Sequence, residues 1–276
     1  MLHALVLGLA LRIQSAPAAP ARNPSLPPSA EQAKAALDAS PRHGEYVDVP
    51  MAGGPALRTW VSYPERKDKA GVVIVIQEVF GLSDWLRGVA DQLAKEGFIA
   101  VAPDMVTGFG PNGGGTDSVA SRDDVVALVR KITPEEATRR LNAVRDWALK
   151  IPAGNGRVGT VGFCWGGGQS FAFAGAQPAV VAAVVFYGPS PDAAVLDAIR
   201  APVLGHYGGD DERVDATIPP AEAQMKKLGK SFEVHLYDGA GHGFLRDQTG
   251  RDGANLKATQ QAWPRTVSFL KEKLGS

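Results

Sequence analysis

Residues 72–76 read Val-Val-Ile-Val-Ile, a continuously apolar and β-branched run without polar alternation. Such a run fits a strand that is covered on both faces, as in the centre of a parallel sheet. Other segments read similarly and predict further strands: residues 98–102, 158–163, 180–187, 203–207 and 232–237. Residues 45–49 and 57–63 alternate apolar and polar side chains instead, which predicts an antiparallel hairpin at one edge of the sheet.

Helical patterns lie between these strands. Trp85, Val89 and Leu93 share one face of a predicted helix, and a Thr-Pro-Glu-Glu capping box at residues 133–136 begins another. Helices are predicted over residues 84–95, 134–148, 169–176, 220–228 and 255–274, the last with a candidate kink at Pro264. This alternation predicts one doubly wound α/β domain over residues 41–276, with a mostly parallel sheet and helices on both faces.

Composition excludes several classes of protein. The 29 basic residues are balanced by 29 acidic ones, which argues against binding nucleic acid or an anionic membrane mainly by bulk charge. An apolar content of 45% is too high for a disordered chain. Cys164 is the only cysteine, so an intrachain disulfide and a multi-cysteine metal cluster are excluded, and no other metal motif is visible.

The first 40 residues differ in composition from the rest and are predicted to be a signal peptide followed by a Pro/Ala-rich linker. An apolar run at residues 2–11 precedes a segment rich in Ala, Pro and Ser, with Ala-Pro-Ala at residues 16–18 or Ala-Ala-Pro-Ala at residues 18–21 as the candidate cleavage region. This pattern predicts export, to a periplasm or outside the cell. No Lys or Arg precedes the apolar run, so a cytoplasmic protein with a disordered or mis-started N-terminus is the alternative. The run is too short to span a bilayer.

The segment Gly162-Phe163-Cys164-Trp165-Gly166 follows a predicted strand and precedes a predicted helix. This is the context of a nucleophile elbow, Gly-x-nucleophile-x-Gly, with Cys as the nucleophile. The flanking glycines leave room for a strained turn, and the helix N-terminus favours a thiolate and an oxyanion. The alternative is a buried structural cysteine at a strand end.

A cysteine nucleophile needs a base and a group that orients the base. After Cys164, residues 208–214 and 238–244 each follow a strand, and they supply Asp residues and then His242 in the chain order that this fold uses. His242 lies between two glycines, as suits an exposed ring on a tight loop. The other histidines fall in the leader, before the domain or inside predicted strands: His3, His43, His206 and His235.

With these motifs the sequence resembles the dienelactone hydrolase (carboxymethylenebutenolidase) family of α/β-hydrolases, from about residue 44 to residue 274. The matching segments are residues 77–81 (Gln-Glu-Val-Phe-Gly), 102–104 (Ala-Pro-Asp), 162–167, 207–214 and 241–246. The resemblance implies the α/β-hydrolase fold and an enzyme that cleaves small carboxylic esters or lactones, without a cofactor.

The resemblance also implies site residues. It assigns a Cys-His-Asp triad to Cys164, His242 and Asp211, with Asp210 as the adjacent alternative for the acid. Glu78 matches a carboxylate that bonds the resting thiol and helps to form the thiolate. The backbone N–H groups of Val79 and Trp165 would form the oxyanion hole.

One family feature is incomplete in this sequence. Family members hold a substrate carboxylate with two arginines, and Arg246 matches the second of them. The first is missing after Pro103-Asp104, and Arg122 is the nearest arginine downstream. Small activated esters or lactones are therefore expected to be as good substrates as dienelactone. Trp85 and Phe109 are predicted to line an apolar pocket, and the glycine-rich loop 108–115 is either a lid or a plain connection.

Two other functions are compatible with the fold. The first is a non-catalytic binding protein, against which the combination of Cys164, Asp211 and His242 argues. The second is nucleotide binding at Gly166-Gly167-Gly168, but the chain has neither the Gly-x-Gly-x-x-Gly spacing nor a Gly-Lys-Ser/Thr motif. The sequence carries no signal for an oligomeric state.

Overall fold

The computed structural model describes residues 22–275, and its centre is a sheet of eight strands. The strands are β1 Gly44–Val49, β2 Leu57–Ser62, β3 Ala70–Ile76, β4 Ile99–Pro103, β5 Gly154–Phe163, β6 Val180–Phe186, β7 Val203–Gly208 and β8 Phe232–Tyr237. Their order across the sheet is β1-β2-β4-β3-β5-β6-β7-β8. β2 pairs antiparallel with β1 and with β4, and the strands from β4 to β8 run parallel. The predicted mostly parallel sheet and its antiparallel edge hairpin are confirmed.

Helices cover both faces of this sheet. They are α1 Ala33–Asp38, α2 Asp84–Lys95, α3 Arg122–Val129, α4 Pro134–Ala148, α5 Trp165–Ala176, α6 Ala193–Ala198, α7 Glu212–Asp215, α8 Ile218–Lys227 and α9 Ala254–Leu274. All seven residues of β3 are buried, and they alternate between the two layers. Val73 and Val75 join the core beneath α2 and α9, whereas Ile74 and Ile76 join the core beneath α3 and α4. A strand covered on both faces therefore needs apolar side chains at every position.

Several details differ from the sequence expectations. β8 was expected to be buried, but it forms the second edge of the sheet, and Glu233 and Leu236 are exposed. The helix α9 continues through Pro264. The sequence patterns did not predict α1, α3, α6 or α7, which are short elements with weak apolar periodicity.

The segment before β1 differs most from expectation, because its described part packs on the domain. Leu26 is 3% exposed and Ala33 is fully buried, and α1 lies against α2. Apolar side chains in the Pro-rich segment therefore join the core, and the predicted linker character does not hold from Leu26 onward. The predicted signal peptide, with its candidate cleavage regions at residues 16–21, lies outside the described residues. Within residues 22–275, no helix has the length and apolar character needed to cross a membrane.

Candidate active site

Cys164 lies at the sharp turn between β5 and α5, with φ 55° and ψ −118°. Glycines flank this turn because the backbone leaves no room for side chains. A Cβ atom on Gly162 would lie 1.9 Å from the carbonyl oxygen of Gly166, and one on Gly166 would lie 2.3 Å from that of Gln77. The predicted elbow geometry is therefore present, and Cys164 stands at the N-terminus of α5.

The surroundings of the Cys164 thiol favour its protonated form. Burial, and then the negative charge of Glu78, raise the pKa of this thiol to about 11. The backbone N–H groups of Trp165 and Val79 act in the opposite direction and lower this pKa, because they stabilise negative charge on sulfur. The two N–H groups predicted to form the oxyanion hole therefore both lie close enough to the Cys164 sulfur to lower its pKa.

Glu78 lies two residues after the end of β3 and is 3% exposed. Its Oε2 atom forms an ion pair with Nε of Arg246, at a distance of 2.8 Å. Burial raises the pKa of Glu78 to about 7, while the charges of Arg246 and Arg122 hold it down in part. This carboxyl group can therefore accept or release a proton near neutral pH.

His242 and Asp211 form a short contact of 2.5 Å between Nδ1 and Oδ2. Asp211 follows β7 and His242 follows β8, so adjacent strands bring them together. The neighbouring carboxylate, Asp210, pairs with Arg251 at 2.8 Å and is about half exposed. The geometry thus distinguishes the two candidate acids in favour of Asp211. No hydrogen bond between the Cys164 thiol and the His242 ring occurs within the described part of the chain.

The loop that carries His242 and Arg246 is fixed at both ends by one side chain. The Oδ1 atom of Asn255, in the first turn of α9, accepts a hydrogen bond of 3.0 Å from Gly241 N–H. Its Nδ2 group donates one of 2.7 Å to the Asp247 carbonyl oxygen. Asn255 is buried and was not singled out in the sequence, because an Asn at a helix start has many ordinary roles.

Two arginines contact the Phe80 ring, two residues along the chain from Glu78. The guanidinium carbon of Arg246 lies 5.1 Å from the centre of the Phe80 ring, and that of Arg122 lies 4.0 Å from it. Both charges lower the pKa of Glu78. Arg122 begins α3, beyond the glycine-rich loop, and reaches the site from there. The sequence left the position of Arg122 open, and the fold places its guanidinium over Phe80, where its charge reaches Glu78.

The C-terminal end of the loop 108–115 is held by hydrogen bonds to Thr116. The buried carboxylate of Asp104 accepts hydrogen bonds from the backbone N–H of Thr116 at 2.7 Å and from its hydroxyl at 2.8 Å. The same hydroxyl oxygen accepts a bond of 2.9 Å from Leu82 N–H. Thr116 therefore joins the segment after β3 to the end of this loop, just before Arg122.

Of the two aromatic residues predicted to line an apolar pocket, Trp85 lies elsewhere. Trp85 is 3% exposed and packs edge-on against Phe163, with ring centres 5.0 Å apart. It belongs to the core beneath α2 and offers no surface to a ligand, so its predicted role is wrong. Phe109 is half-buried, and the Arg140 guanidinium lies 4.6 Å from its ring centre. Phe109 packs on the same apolar cluster as Val79 and Trp165, and its role in lining a pocket stays a prediction.

Tyr187 is a site residue that the sequence did not reveal. It is fully buried at the end of β6, with φ 41°, and its ring centre lies 5.2 Å from that of His242. Its hydroxyl lowers the pKa of Glu78, and burial together with the charge of Glu78 raises the pKa of Tyr187 itself. Only the tertiary fold brings this side chain between Glu78 and His242. Among residues 22–275, no group of three or more His, Cys, Asp or Glu side chains is arranged to hold a metal ion.

The sheet, the elbow and the order of the site residues along the chain define an α/β-hydrolase. The chain belongs to the dienelactone hydrolase family, whose sequence model matches residues 57–274. The carboxymethylenebutenolidase of Pseudomonas putida is 31% identical over 232 residues, which cover 82% of this chain and 95% of that protein. The protein is accordingly a carboxylic ester hydrolase acting on esters or lactones.

Solved structures agree on the fold. A Klebsiella pneumoniae protein superposes with a TM-score of 0.74 at 24% identity, covering 84% of this chain and 99% of that one. The dienelactone hydrolase of Anabaena variabilis superposes with a TM-score of 0.64 at 22% identity, covering 84% and 99%. At these levels of identity the likeness extends to the fold alone.

Proposed function

We propose that this enzyme hydrolyses its ester or lactone substrate through a Cys-His-Asp triad and a thioester acyl-enzyme. The observation that carries the proposal is the placement of Cys164 on a strained elbow, with the bonded pair Asp211 and His242 following the two strands β7 and β8. All three side chains lie at the carboxyl ends of strands, where open α/β sheets bind their ligands. In this arrangement Cys164 is the nucleophile, His242 is the base, and Asp211 orients the imidazole.

The resting thiol has to lose its proton before it can attack. With a pKa of about 11 it is neutral at pH 7, and Glu78, with a pKa of about 7, is the nearby group that can accept its proton. An anionic substrate that draws Arg246 away would leave the buried Glu78 carboxylate without its cation. Its affinity for a proton would then rise, and the proton would pass from sulfur to Glu78.

The thiolate then attacks the carbonyl carbon, and the electron pair of the C=O bond moves onto oxygen. The N–H groups of Val79 and Trp165 stabilise this oxyanion. The C–O bond breaks, and the proton that left sulfur ends on the departing oxygen. Water next attacks the thioester while His242 takes its proton, the C–S bond breaks, and the proton returns to sulfur.

The pair Arg122 and Arg246 favours a substrate that carries a carboxylate. Both guanidinium groups lie over Phe80 beside Glu78, and each can bind an anionic oxygen. This proposal differs from the sequence-based expectation that activated esters without a carboxylate are equally good substrates, and a comparison of charged and neutral esters decides between the two. Replacing Arg122 by Ala should raise KM about tenfold for a carboxylate-bearing ester and leave its neutral analogue unchanged, the effect of one lost charged contact.

The experiment that tests the triad is a panel of esters and lactones with wild type, Cys164→Ala and Cys164→Ser. Wild type should give turnover, and rapid mixing followed by mass spectrometry should trap an acyl group on Cys164. Cys164→Ala should lose both signals. Binding of the panel without turnover by all three proteins would instead favour the non-catalytic alternative.

We also propose that the chain is exported, on the strength of the apolar run at residues 2–11 and the Ala-rich segment behind it. Fractionation of cells expressing the full chain, with N-terminal sequencing of the product, tests this. Intact protein recovered from the cytoplasm would contradict it.

A further inference from the structure

Residues 26–30, which we name the N-terminal strap, run alongside the loop that carries Arg246. The backbone N–H of Ala30 donates a hydrogen bond of 2.9 Å to the Arg246 carbonyl oxygen. In the opposite direction, Nε2 of Gln248 donates one of 2.9 Å to the Pro27 carbonyl oxygen. The strap lies outside residues 57–274, the part of the chain that defines the family.

The strap is itself held against α2 by close packing. Leu26 and Ser29 are buried, and Pro28 lies so near the helix that a Cβ atom on Gly88 would be 2.7 Å from its Cγ atom. Because Gly88 has no side chain, Pro28 of the strap can pack directly against α2.

An ion pair fastens the chain after the strap to the same helix. Arg42 pairs with the buried Asp91 of α2 at 2.6 Å, and the Ser40 hydroxyl donates to the same carboxylate at 2.6 Å. The strap is therefore held on α2 at Pro28, and the chain that follows it is held there by Ser40 and Arg42.

Arg246 is consequently held from two sides. Its side chain pairs with Glu78 and lies over Phe80, while its carbonyl oxygen is bound by the strap. Its backbone N–H donates to the Gly243 carbonyl at 2.9 Å, which closes a turn next to His242. The strap thus fixes the backbone from which the guanidinium reaches the site.

We propose that the N-terminal strap is a positioning segment that sets Arg246 for an anionic group of the substrate. This inference rests on the proposed function, in which Arg246 binds such a group. Ala30 acts through its N–H and Pro28 through its packing, and neither touches the reacting atoms. Loosening the strap should weaken recognition of anionic molecules and leave the response to neutral ones unchanged.

Alkylation of Cys164 measures this selectivity without relying on hydrolysis. Iodoacetate and iodoacetamide both form an S–CH2 bond and release iodide and the thiol proton, but only iodoacetate carries a carboxylate. Because Cys164 is the only cysteine, whole-protein mass spectrometry reports its rate directly. The quantity compared is the iodoacetate rate divided by the iodoacetamide rate, relative to the same ratio for glutathione.

Two substitutions loosen the strap away from the site. Gly88→Ala places a Cβ atom against Pro28, and Ala30→Pro removes the N–H that binds the Arg246 carbonyl. Each should lower the alkylation ratio about tenfold, toward the value of Arg246→Ala, as expected for one lost charged contact. Their matched controls are Gly88→Ala combined with Pro28→Ala, which relieves the overlap, and Ala30→Gly, which keeps the N–H. Both controls should retain the wild-type ratio.

Three results would overturn the proposal. These are an unchanged ratio in both strap variants, an equal slowing of both reagents, and a wild-type ratio no higher than that of Arg246→Ala. Thermal melting identifies a strap variant that fails to fold. If one of the two does, the alkylation ratio of the other strap variant tests the proposal. If wild type hydrolyses none of the ester panel, the proposed function fails, whereas the alkylation ratio still reports on the strap.

Discussion

His206 and His242 belong to the same end of the sheet, yet their surroundings differ in nearly every respect. His206 lies inside β7 and is fully buried, with Nδ1 2.9 Å from the Tyr237 hydroxyl and Nε2 3.0 Å from the Thr266 hydroxyl. The His242 side chain is 33% exposed, and its Nδ1 contacts the Asp211 carboxylate. No hydrogen bond to Nε2 of His242 occurs among residues 22–275.

The difference shows how partners decide what a histidine can do. Both nitrogens of His206 are bonded to neutral hydroxyl groups, and burial lowers its pKa well below the ordinary value, so the ring stays neutral. A carboxylate partner, by contrast, stabilises an imidazolium, and a nitrogen without a partner can exchange a proton with a ligand. Position in the sheet alone does not separate the two roles.

The largest effect is expected from removing the ring of His242. His242→Ala should lower kcat/KM about 10³-fold or more, because it removes the base proposed to activate water. The melting temperature should stay within about 2 °C of wild type, as is usual for a partly exposed side chain. The control is His235→Ala, a partly exposed strand histidine paired with Glu233, for which steady-state assays should give wild-type rates.

A second, smaller effect tests the partner of His242. Asp211→Asn should lower kcat about 10² to 10⁴-fold, because an amide neither stabilises the imidazolium nor holds the required tautomer. Asp210→Asn changes the adjacent residue in the same way but disturbs only an exposed ion pair with Arg251. Its kcat should remain within about twofold of wild type, as expected for a surface pair. Equal losses in both variants would remove the distinction between the two acids.

His206 should affect stability rather than rate. His206→Leu leaves the Tyr237 and Thr266 hydroxyls without their partner, and chemical denaturation should show a loss of about 3 kcal/mol at pH 7.5. Because the pKa of His206 is lowered in the fold, its neutral ring stabilises the protein above the unfolded pKa of about 6.5, and this stabilisation is lost as pH falls. The difference between variant and wild type should therefore shrink from pH 7.5 to pH 5. A kcat far below wild type in the folded variant would contradict a structural role.

Glu78 is expected to give the opposite pH dependence at a smaller magnitude. Its pKa is raised in the fold to about 7, so its protonated form stabilises the protein at low pH, and this stabilisation is lost as pH rises. Glu78→Gln should therefore be more stable than wild type at pH 8, by about 2–3 kcal/mol, because the raised pKa already includes the attraction of Arg246. The two proteins should converge below about pH 4.5, the unfolded carboxyl pKa. Urea titrations at both pH values measure this, and a gap that widens toward acid would refute it.

Structural elements that depend on a short run of neighbouring residues, such as single strands and tight turns, were predictable from the sequence. The run at residues 72–76 identified β3, and the glycines around Cys164 and His242 indicated tight turns. Residues 208–214 supplied two adjacent acids, of which the family resemblance favoured Asp211. The contacts of Asp210 with Arg251 and of Asp211 with His242 point the same way.

Features that depend on packing between distant segments were not predictable in this way. Arg122 and Tyr187 reach Glu78 through the folding of α3 and β6, which no local motif records. For Trp85, by contrast, the local pattern was sufficient to predict burial. Its place on the apolar face of α2, with Val89 and Leu93, already indicated the core, and an aromatic ring on such a face packs inward rather than toward a ligand.

The two hydrogen bonds of Asn255 determine when the loop of residues 241–247 becomes ordered. They close residues 241–247 into a ring through one amide, whose nitrogen and oxygen cannot exchange places without losing both bonds. The conformational entropy of the loop is therefore given up when the chain folds. The backbone that carries His242 and Arg246 is therefore preorganised before a substrate binds. Little further ordering of this loop has to accompany the chemical step.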